Sequence, residues 1–341
     1  MKINKEELQK ALEKVKPGLA NKEIIEQSTS FAFVENKVVT YNDEISISHP
    51  VKGLNFTGTV KAQELYQYLN KIKQEEIDVS WDENQFKITA GKAKAGLIFQ
   101  KEVSLPIEEI GKINKWKNLP KTFIEALKFC KTSCSTDMSR PILTCIEVGK
   151  EGIVKSSDGY RLTSYSLSEE MPIDTFLIPA TSANELIKYD ITQITKGEGW
   201  VHFKTKENTI FSCRVFDDAY PDTKRLFEVE GKAINIPMKM ISSLDRASVF
   251  AKKEFNNDSK IIVKLEEKQM TLSAQADFGW FEENLRVNYL DEPIEFETHP
   301  IFLAEILTQV KSCILGKDRM KFEGENWSHV LSLSMIKQGE E

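Results

Sequence analysis

The sequence predicts an α+β protein of three repeated domains, and three observations support this. Similar segments begin at Ile3, Leu119 and Ile236, which are 116 and 117 residues apart. Each runs into a stretch whose apolar residues recur at helical spacing, and a second such stretch begins 57 to 63 residues later. Between these stretches, alternating apolar and polar residues predict short antiparallel strands with one buried face. Helices with a single apolar face need such a sheet to cover that face.

The repeat also predicts the domain organisation. Its period is too long for a solenoid unit, so each copy is expected to be a domain of its own. The predicted domains are residues 1–115, 116–231 and 232–341. Polar, glycine-bearing segments at 111–118 and 228–235 are predicted to be linkers.

Each copy is predicted to contain two helices and about eight strands. In the first helix, Leu8, Leu12 and Val15 recur at the spacing of one apolar helix face. The predicted helices are Lys5–Lys16, Lys61–Lys73, Thr122–Ser133, Thr181–Tyr189, Lys239–Phe250 and Ile301–Cys313.

Turn residues between the alternating runs predict hairpins. Asn84, Asn208 and Asn326 are expected to close the second hairpin of each copy. The predicted turns are Glu35–Asn36, Asp82–Asn84, Gly149–Gly152, Lys206–Asn208, Glu266–Gln269 and Gly324–Asn326.

Composition argues against several classes of protein. No run of 18 apolar residues is present, and the N-terminus has no apolar signal-peptide core, so a cytoplasmic protein without a membrane span is expected. The odd count of five cysteines, with no Cys-x-x-Cys pair, favours reduced, buried thiols. Four scattered histidines predict no histidine-based metal site.

The chain also lacks a convincing catalytic set. It has no phosphate-binding Walker loop and no Ser-His-Asp arrangement, so we expect a protein that is not an enzyme and needs no cofactor. Asp217, Asp218 and Asp222 form an acidic cluster that is interpreted as loop carboxylates rather than a Mg²⁺ site. A hydrolase with an atypical site is the remaining enzymatic alternative.

Charge is distributed unevenly along the chain. The net charge is -6, yet the predicted helices together carry an excess of positive charge. A positive helix layer attracts phosphates without reading bases. Ordinary solvated helix faces are the alternative interpretation, since most soluble proteins have them.

Three motifs of the second copy indicate a family. Arg140-Pro141-Ile142-Leu143-Thr144, Ser157-Asp158-Gly159-Tyr160-Arg161-Leu162 and Tyr220-Pro221-Asp222-Thr223-Lys224-Arg225-Leu226 occur in this order. Together with the triplication, they make the chain similar to the bacterial DNA sliding clamp, the beta subunit of DNA polymerase III. The resemblance covers the whole chain, and it is compatible with a cellular or a phage source.

The resemblance implies a head-to-tail homodimer that closes a ring of six clamp domains around double-stranded DNA, without sequence preference. A ring holds DNA by topology, so weak phosphate contacts are sufficient and sliding stays possible. The residues expected to line the hole are Lys10, Lys14, Lys128, Lys131, Arg246 and Lys252. Val249 and Phe250 are expected at the dimer interface, although a core role suits them nearly as well.

The resemblance also implies a pocket that captures peptides from the DNA polymerase and the clamp loader. Arg161 and Arg225 are expected to bind peptide carbonyls or a carboxylate. The expected pocket residues are Leu143, Ser157, Gly159, Tyr160, Arg161, Leu162, Pro221, Arg225, Leu226, Val330, Leu331, Ser332 and Leu333.

The C-terminus departs from the family pattern. Members of the family commonly end in an apolar strand followed by a tail with Pro or Arg, whereas this chain ends Lys337-Gln338-Gly339-Glu340-Glu341. This difference leaves an alternative function open. The chain would then be a clamp-like scaffold or decoy that binds replication proteins without loading on DNA.

Overall fold

The computed structural model describes residues 1–110, 115–251 and 259–336. Contacts divide the chain into two compact units. Unit 1 contains Met1–Ile124, Val148–Glu151 and Ser168–Asp218, and unit 2 contains Glu125–Glu147, Gly152–Leu167 and Ala219–Glu341. Parts of the second copy belong to each unit, so the boundaries at 115/116 and 231/232 stay a prediction. Of the predicted linker 111–118, residues 111–114 lie outside the described residues.

The first copy has a strand, a helix, four strands, a second helix and three strands. These elements are β1 (Lys2–Asn4), α1 (Lys5–Val15), β2 (Ser30–Val34), β3 (Lys37–Tyr41), β4 (Ile45–Pro50), β5 (Gly58–Lys61), α2 (Ala62–Lys71), β6 (Glu76–Trp81), β7 (Gln85–Ala90) and β8 (Ala93–Gln100).

The second copy repeats this order. Its elements are β9 (Lys117–Asn118), α3 (Phe123–Cys130), β10 (Cys145–Val148), β11 (Ile153–Ser157), β12 (Arg161–Ser166), β13 (Phe176–Pro179), α4 (Ala180–Leu186), β14 (Ile191–Lys196), β15 (Trp200–Thr205) and β16 (Ile210–Arg214).

The third copy repeats the order again and adds a short final strand. Its elements are β17 (Lys232–Asn235), α5 (Met240–Ala251), β18 (Ile261–Glu266), β19 (Gln269–Ala276), β20 (Gly279–Arg286), β21 (Ile294–Thr298), α6 (Pro300–Leu307), β22 (Ser312–Leu315), β23 (Arg319–Glu323), β24 (Trp327–Ser332) and β25 (Ser334–Met335). The predicted α+β class and the triplicated element order are thereby confirmed.

Local signals explain where the first helix begins and ends. The Asn4 side chain accepts a hydrogen bond from the Glu7 backbone N–H at 3.0 Å, which satisfies a donor that the first turn leaves free. Pro17 then forces a short 3-10 turn at Lys16–Gly18. The predicted helix Lys5–Lys16 therefore differs from α1 by one residue.

The largest boundary error concerns the last helix. It was predicted over Ile301–Cys313 but ends at Leu307, and Cys313 lies in β22, paired opposite Ile234 of β17. The apolar residues around Cys313 are buried because they lie in a sheet. In so short an apolar run, the sequence pattern does not distinguish a buried strand from the end of a helix.

The predicted turns are found between strands, but one equivalence was wrong. Asn84 follows β6, whereas Asn208 and Asn326 precede the last strand of their copies. The turns after Val34 and Glu266 contain residues with positive φ, namely Glu35, Asn36, Glu267 and Lys268. Two such residues in succession match the twist of the flanking strands.

Unit 1 contains one antiparallel sheet of twelve strands, in the order β1-β6-β7-β8-β5-β2-β3-β4-β16-β15-β14-β9. Its centre joins the first copy to the second, because Ile47 of β4 pairs with Phe211 of β16. The apolar face of α1, with Leu8 and Leu12, is buried against strands of this sheet.

Unit 2 contains two sheets. In one, the strand order β10-β11-β12-β24-β23-β22-β17 joins the second copy to the third, because Leu162 of β12 pairs with Val330 of β24. The other has the order β20-β19-β18-β21-β25. The buried faces of α5 and α6 pack on the strands of the third copy and on each other, through Leu244, Ala247 and Leu303.

The five cysteines form no disulfide; four of them are buried and Cys134 is partly accessible. In the described ranges, no helix is long and apolar enough to cross a bilayer. No group of three metal-ligating side chains occurs among the described residues.

Candidate functional site

The loop between β11 and β12 has a fixed shape. The Asp158 carboxylate accepts hydrogen bonds from the backbone N–H groups of Tyr160 and Arg161, both at 2.9 Å. The Ser157 hydroxyl accepts from Gly159 N at 3.1 Å and donates to the Arg161 carbonyl at 2.8 Å. Gly159 has φ 91°, a conformation that a side chain would strain. The loop thereby presents the Tyr160 ring to solvent.

The end of β24 lies beside this loop. The Ser332 N–H donates to the Tyr160 carbonyl at 2.8 Å, and Val330 and Leu331 pair with Leu162 and Arg161. Leu333 is buried and donates its N–H to the Asp318 carbonyl at 2.9 Å. The residues after Tyr160 and the last long strand therefore form one continuous wall.

A 3-10 turn at Lys224–Phe227 is held near the same end of β24. Arg319 of β23 donates from Nη1 to the Leu226 carbonyl at 3.3 Å, and the same guanidinium is held by Asp318 at 2.6 Å. Arg225 and Leu226 remain exposed, as does Pro221. An exposed leucine beside an exposed tyrosine provides apolar contact for a partner.

Leu143 belongs to a neighbouring 3-10 turn, Pro141–Thr144, and is half-buried. The Arg140 side chain that precedes this turn reaches within 3.9 Å of the position that a Cβ of Gly159 would occupy. The three sequence motifs of the second copy are therefore brought together in unit 2, around the end of β24.

The Arg161 guanidinium is turned inward. Its Nε donates to Asp158 at 2.9 Å, its Nη1 donates to Glu305 of α6, and its plane lies 3.9 Å from the centre of the Phe302 ring. The side chain is only 9% exposed. Arg161 thus has carboxylate partners within the chain, whereas Arg225 is exposed.

A cavity of about 280 Å³ lies beside Arg161, between α3 and α6. Its lining includes His329, whose Nδ1 lies 2.8 Å from the Thr163 hydroxyl, which in turn lies 2.6 Å from the Ser133 hydroxyl. Burial, with the nearby Arg161 charge as a smaller cause, lowers the pKa of His329 to about 3. This buried polar chain was not predicted, because its three residues come from distant parts of the sequence.

Of the cations predicted to line a hole, Lys10, Lys14, Lys128 and Arg246 lie on α-helices, and some of them have acidic partners. Lys10 and Lys128 are exposed, and Lys131 is half-buried after the end of α3. Lys14 contacts Glu207, and Arg246 contacts Glu283 at 2.6 Å. Lys252 lies outside the described residues.

Exposed apolar side chains lie on β8 and around the start of β20, the edge strand of its sheet. Phe278, just before β20, and Trp280 of β20 are 69% and 72% exposed, and Ile98 of β8 is 77% exposed. The Phe250 ring contacts that of Phe278 in a tilted arrangement, with ring centres 5.8 Å apart, and Val249 is half exposed. The predicted pair Val249 and Phe250 therefore lies next to a larger aromatic group, which the alternating sequence of β20 could have indicated.

Comparison with known proteins shows what this architecture resembles. The structure of the DNA polymerase III beta chain from Streptococcus pneumoniae TIGR4 superposes with a TM-score of 0.84, covering 99% of both chains at 18% identity. The sliding clamp of Bacillus subtilis gives a TM-score of 0.82 at 18% identity, again over 99% of both chains.

The chain has the fold of the bacterial sliding clamps.

Sequence comparison agrees with this fold. The beta sliding clamp of Bacillus subtilis is 28% identical over 255 residues, which is 70% of this chain and 66% of that protein. The clamp of Streptococcus pneumoniae TIGR4 is 25% identical over 250 residues, 68% of this chain and 65% of that protein. The matched region thus spans just under two thirds of these curated relatives. No family model matches the chain.

Proposed function

We propose that this protein is a DNA sliding clamp, which encircles duplex DNA and tethers a replicative polymerase. The observation that carries the proposal is the sliding-clamp fold over 99% of the chain. Because a fold alone does not determine a function, the positions of the cations and of the exposed strands also have to agree with a clamp. We further propose that the three repeats are the clamp domains 1–115, 116–231 and 232–341, and that the protein works in the cytoplasm without being an enzyme.

The repeat supports a head-to-tail dimer. Within the chain, the fourth strand of one copy pairs with the eighth strand of the next, as β4 does with β16 and β12 with β24. By the same rule, β20 of the third copy should pair with β8 of the first copy in another chain. Both strands have eight residues, and both have exposed apolar side chains. Two chains related by this contact would close a ring of six domains and leave no open edge at the seams.

In this ring the helix cations would face the DNA. We propose Lys10, Lys14, Lys128, Lys131, Arg246 and Lys252 for that surface. Contacts from side chains of this kind go to phosphates and are blind to sequence, which suits a protein that has to move along the duplex.

We propose that polymerase and clamp-loader peptides bind around Tyr160, Leu226 and the end of β24. Ser157 and Gly159 shape the loop, Leu162 and Leu331 support it, and Arg225 supplies an exposed positive charge. The other residues of the proposed site are Leu143, Arg161, Pro221, Val330, Ser332 and Leu333. For Arg161 we propose a positioning role through Asp158 and Glu305, since its guanidinium already has these acceptors.

Topological retention on DNA tests the proposal without a loader. A ring can thread over the ends of a linear duplex that carries biotin at both ends. Streptavidin is then added, and the mixture is passed through a sizing column at high salt. We expect the protein to stay with end-blocked DNA and to be lost after a restriction enzyme cuts the duplex. Equal loss from blocked and cut DNA would contradict the proposal.

Stimulation of a partner polymerase on a long primed template separates the clamp from its alternative. A clamp lengthens the product made in one binding event. A scaffold or decoy would bind the polymerase in a pull-down, yet it would fail to be retained on blocked DNA and would not lengthen the product.

A further inference from the structure

We infer that Glu283 and Glu207 are internal counterions, which occupy cations of the DNA-facing surface and so keep the hold on DNA weak. This inference rests on the proposed function, because it assigns a regulatory role within that surface. The proposed function requires only that cations face the DNA. The inference adds that carboxylates determine how many of these cations are available to bind phosphates.

The pair Arg246–Glu283 has the more defined geometry. Nη2 of Arg246 lies 2.8 and 2.6 Å from the two carboxylate oxygens of Glu283, and Nε lies 3.2 Å from one of them. A fork of this kind is among the stronger ion pairs in proteins. Hydrogen bonding to Arg246 holds the pKa of Glu283 below its ordinary value, so the carboxylate stays ionised at neutral pH.

The backbone fixes both ends of this pair. Arg246 lies on α5 between Leu244 and Ala247, which are buried, and Glu283 lies on β20 opposite Leu272 of β19. Helix and strand are packed elements of the same core in unit 2. The carboxylate is therefore presented to Arg246 by the fold and is not a chance meeting of two mobile side chains.

Lys14 has a similar arrangement in unit 1. Its ammonium contacts Glu207, in the turn between β15 and β16, and the Lys14 side chain is the less exposed of the two. By contrast, Lys10 has only a loose, exposed contact with Glu6 at 4.0 Å, and Lys128 forms no ion pair among the residues that the structure describes. The lining cations therefore divide into a masked group, Lys14 and Arg246, and an available one that includes Lys128.

Pairing a cation with a carboxylate should change how strongly DNA binding depends on salt concentration. Each phosphate neutralised by a cation releases condensed counterions and steepens the dependence of log affinity on log salt by about 0.9. A cation already neutralised by a carboxylate adds little to this slope. Fewer available cations mean weaker and more uniform contacts, which lowers the barrier to sliding.

The test is the salt dependence of binding to a linear duplex, for the wild-type protein and for Glu283→Gln and Glu207→Gln. Each variant is expected to steepen the slope by about 0.9, so that the ratio of affinities at 50 and 200 mM salt grows by about 3.5-fold. Glu198→Gln is the matched control, since it changes net charge equally at an exposed turn residue and should leave the slope unchanged. Because Glu283 lies on an edge strand, light scattering is used to check that the Glu283→Gln variant still dimerises.

Arg246→Gln separates masking from a general effect of charge. In the Glu283→Gln protein it should abolish the added 0.9. Unchanged slopes in both Glu variants, or an equal rise in Glu198→Gln, would overturn the inference while leaving a DNA-binding clamp in place. If no protein in the series binds duplex DNA, the proposed function itself is wrong.

Discussion

At the residue scale, Arg161 links the proposed peptide site to the helix layer of unit 2. Its sequence context, Asp158-Gly159-Tyr160-Arg161, indicated a surface recognition loop, and the loop is at the surface. The guanidinium, however, is buried between two carboxylates and the Phe302 ring. No local pattern could show this, because Phe302 and Glu305 lie about 140 residues further along the chain.

Replacing Arg161 with Met is expected to lower the free energy of unfolding by about 3 kcal/mol, because Asp158 would keep a buried charge without its partner. Arg225→Met is the comparison, and it should change stability by less than about 0.5 kcal/mol, since Arg225 is exposed. Urea unfolding of both variants measures the difference. Equal losses of stability in the two variants would show that the contacts of Arg161 do not stabilise the fold more than those of an exposed arginine.

The buried histidines predict a loss of stability in mild acid. Burial lowers the pKa of His202 and of His49 to about 4, and that of His329 to about 3. The unfolded chain binds protons near pH 6.5 and the folded chain does not, so stability is complete above pH 6.5 and falls as pH drops towards these values. Each fully buried histidine contributes at most about 1.4 kcal/mol per pH unit.

The measurement is the free energy of unfolding between pH 6.5 and 5, a window above the titration of most carboxylates. His329→Asn should reduce the slope of stability against pH, while His49 and His202 retain their share. A slope that is unchanged in His329→Asn would mean that His329 is protonated in the folded protein.

At the element scale, β20 lies at the edge of its sheet, and residues 93–98 of β8 pair with β7 on one side and with none of the described strands on the other. Trp280→Glu and Ile98→Glu should each shift the protein from dimer to monomer, because a charge at these exposed positions opposes burial in the proposed seam. Light scattering across a dilution series measures the shift. Met138→Glu is the control, because Met138 is equally exposed but lies in a loop away from either strand. A dimer that survives both edge substitutions would place the interface elsewhere.

At the scale of the whole molecule, the proposed retention on DNA would depend on the summed positive charge of the helices. Reversing Lys10 and Lys128 to Glu should weaken duplex binding and flatten its salt dependence by about 2 in the slope, with the dimer intact. Lys37→Glu with Lys317→Glu makes the same change in net charge at two exposed positions, the first residue of β3 and the turn before β23. Equal weakening by both pairs would show that net charge matters and that the helix surface does not.

The order of elements was predictable because it depends on local periodicity. The repeat, the antiparallel hairpins and the apolar faces of α1 and α5 follow from residue spacing that any segment carries within itself. The boundaries of the elements were less predictable. The predicted end of α6 was wrong because Cys313 pairs with β17 in a sheet, a contact between residues far apart in the sequence.

The sequence by itself determined that three similar α+β units exist, which of their faces are apolar, and where the recognition motifs lie along the chain. Tertiary structure alone decided which of those residues meet. It paired β12 with β24, buried Arg161 against Glu305, placed Glu283 beside Arg246 and left β20 at the edge of its sheet. The reason is physical: spacing along a chain sets local conformation, whereas contacts between distant residues depend on how the finished elements pack.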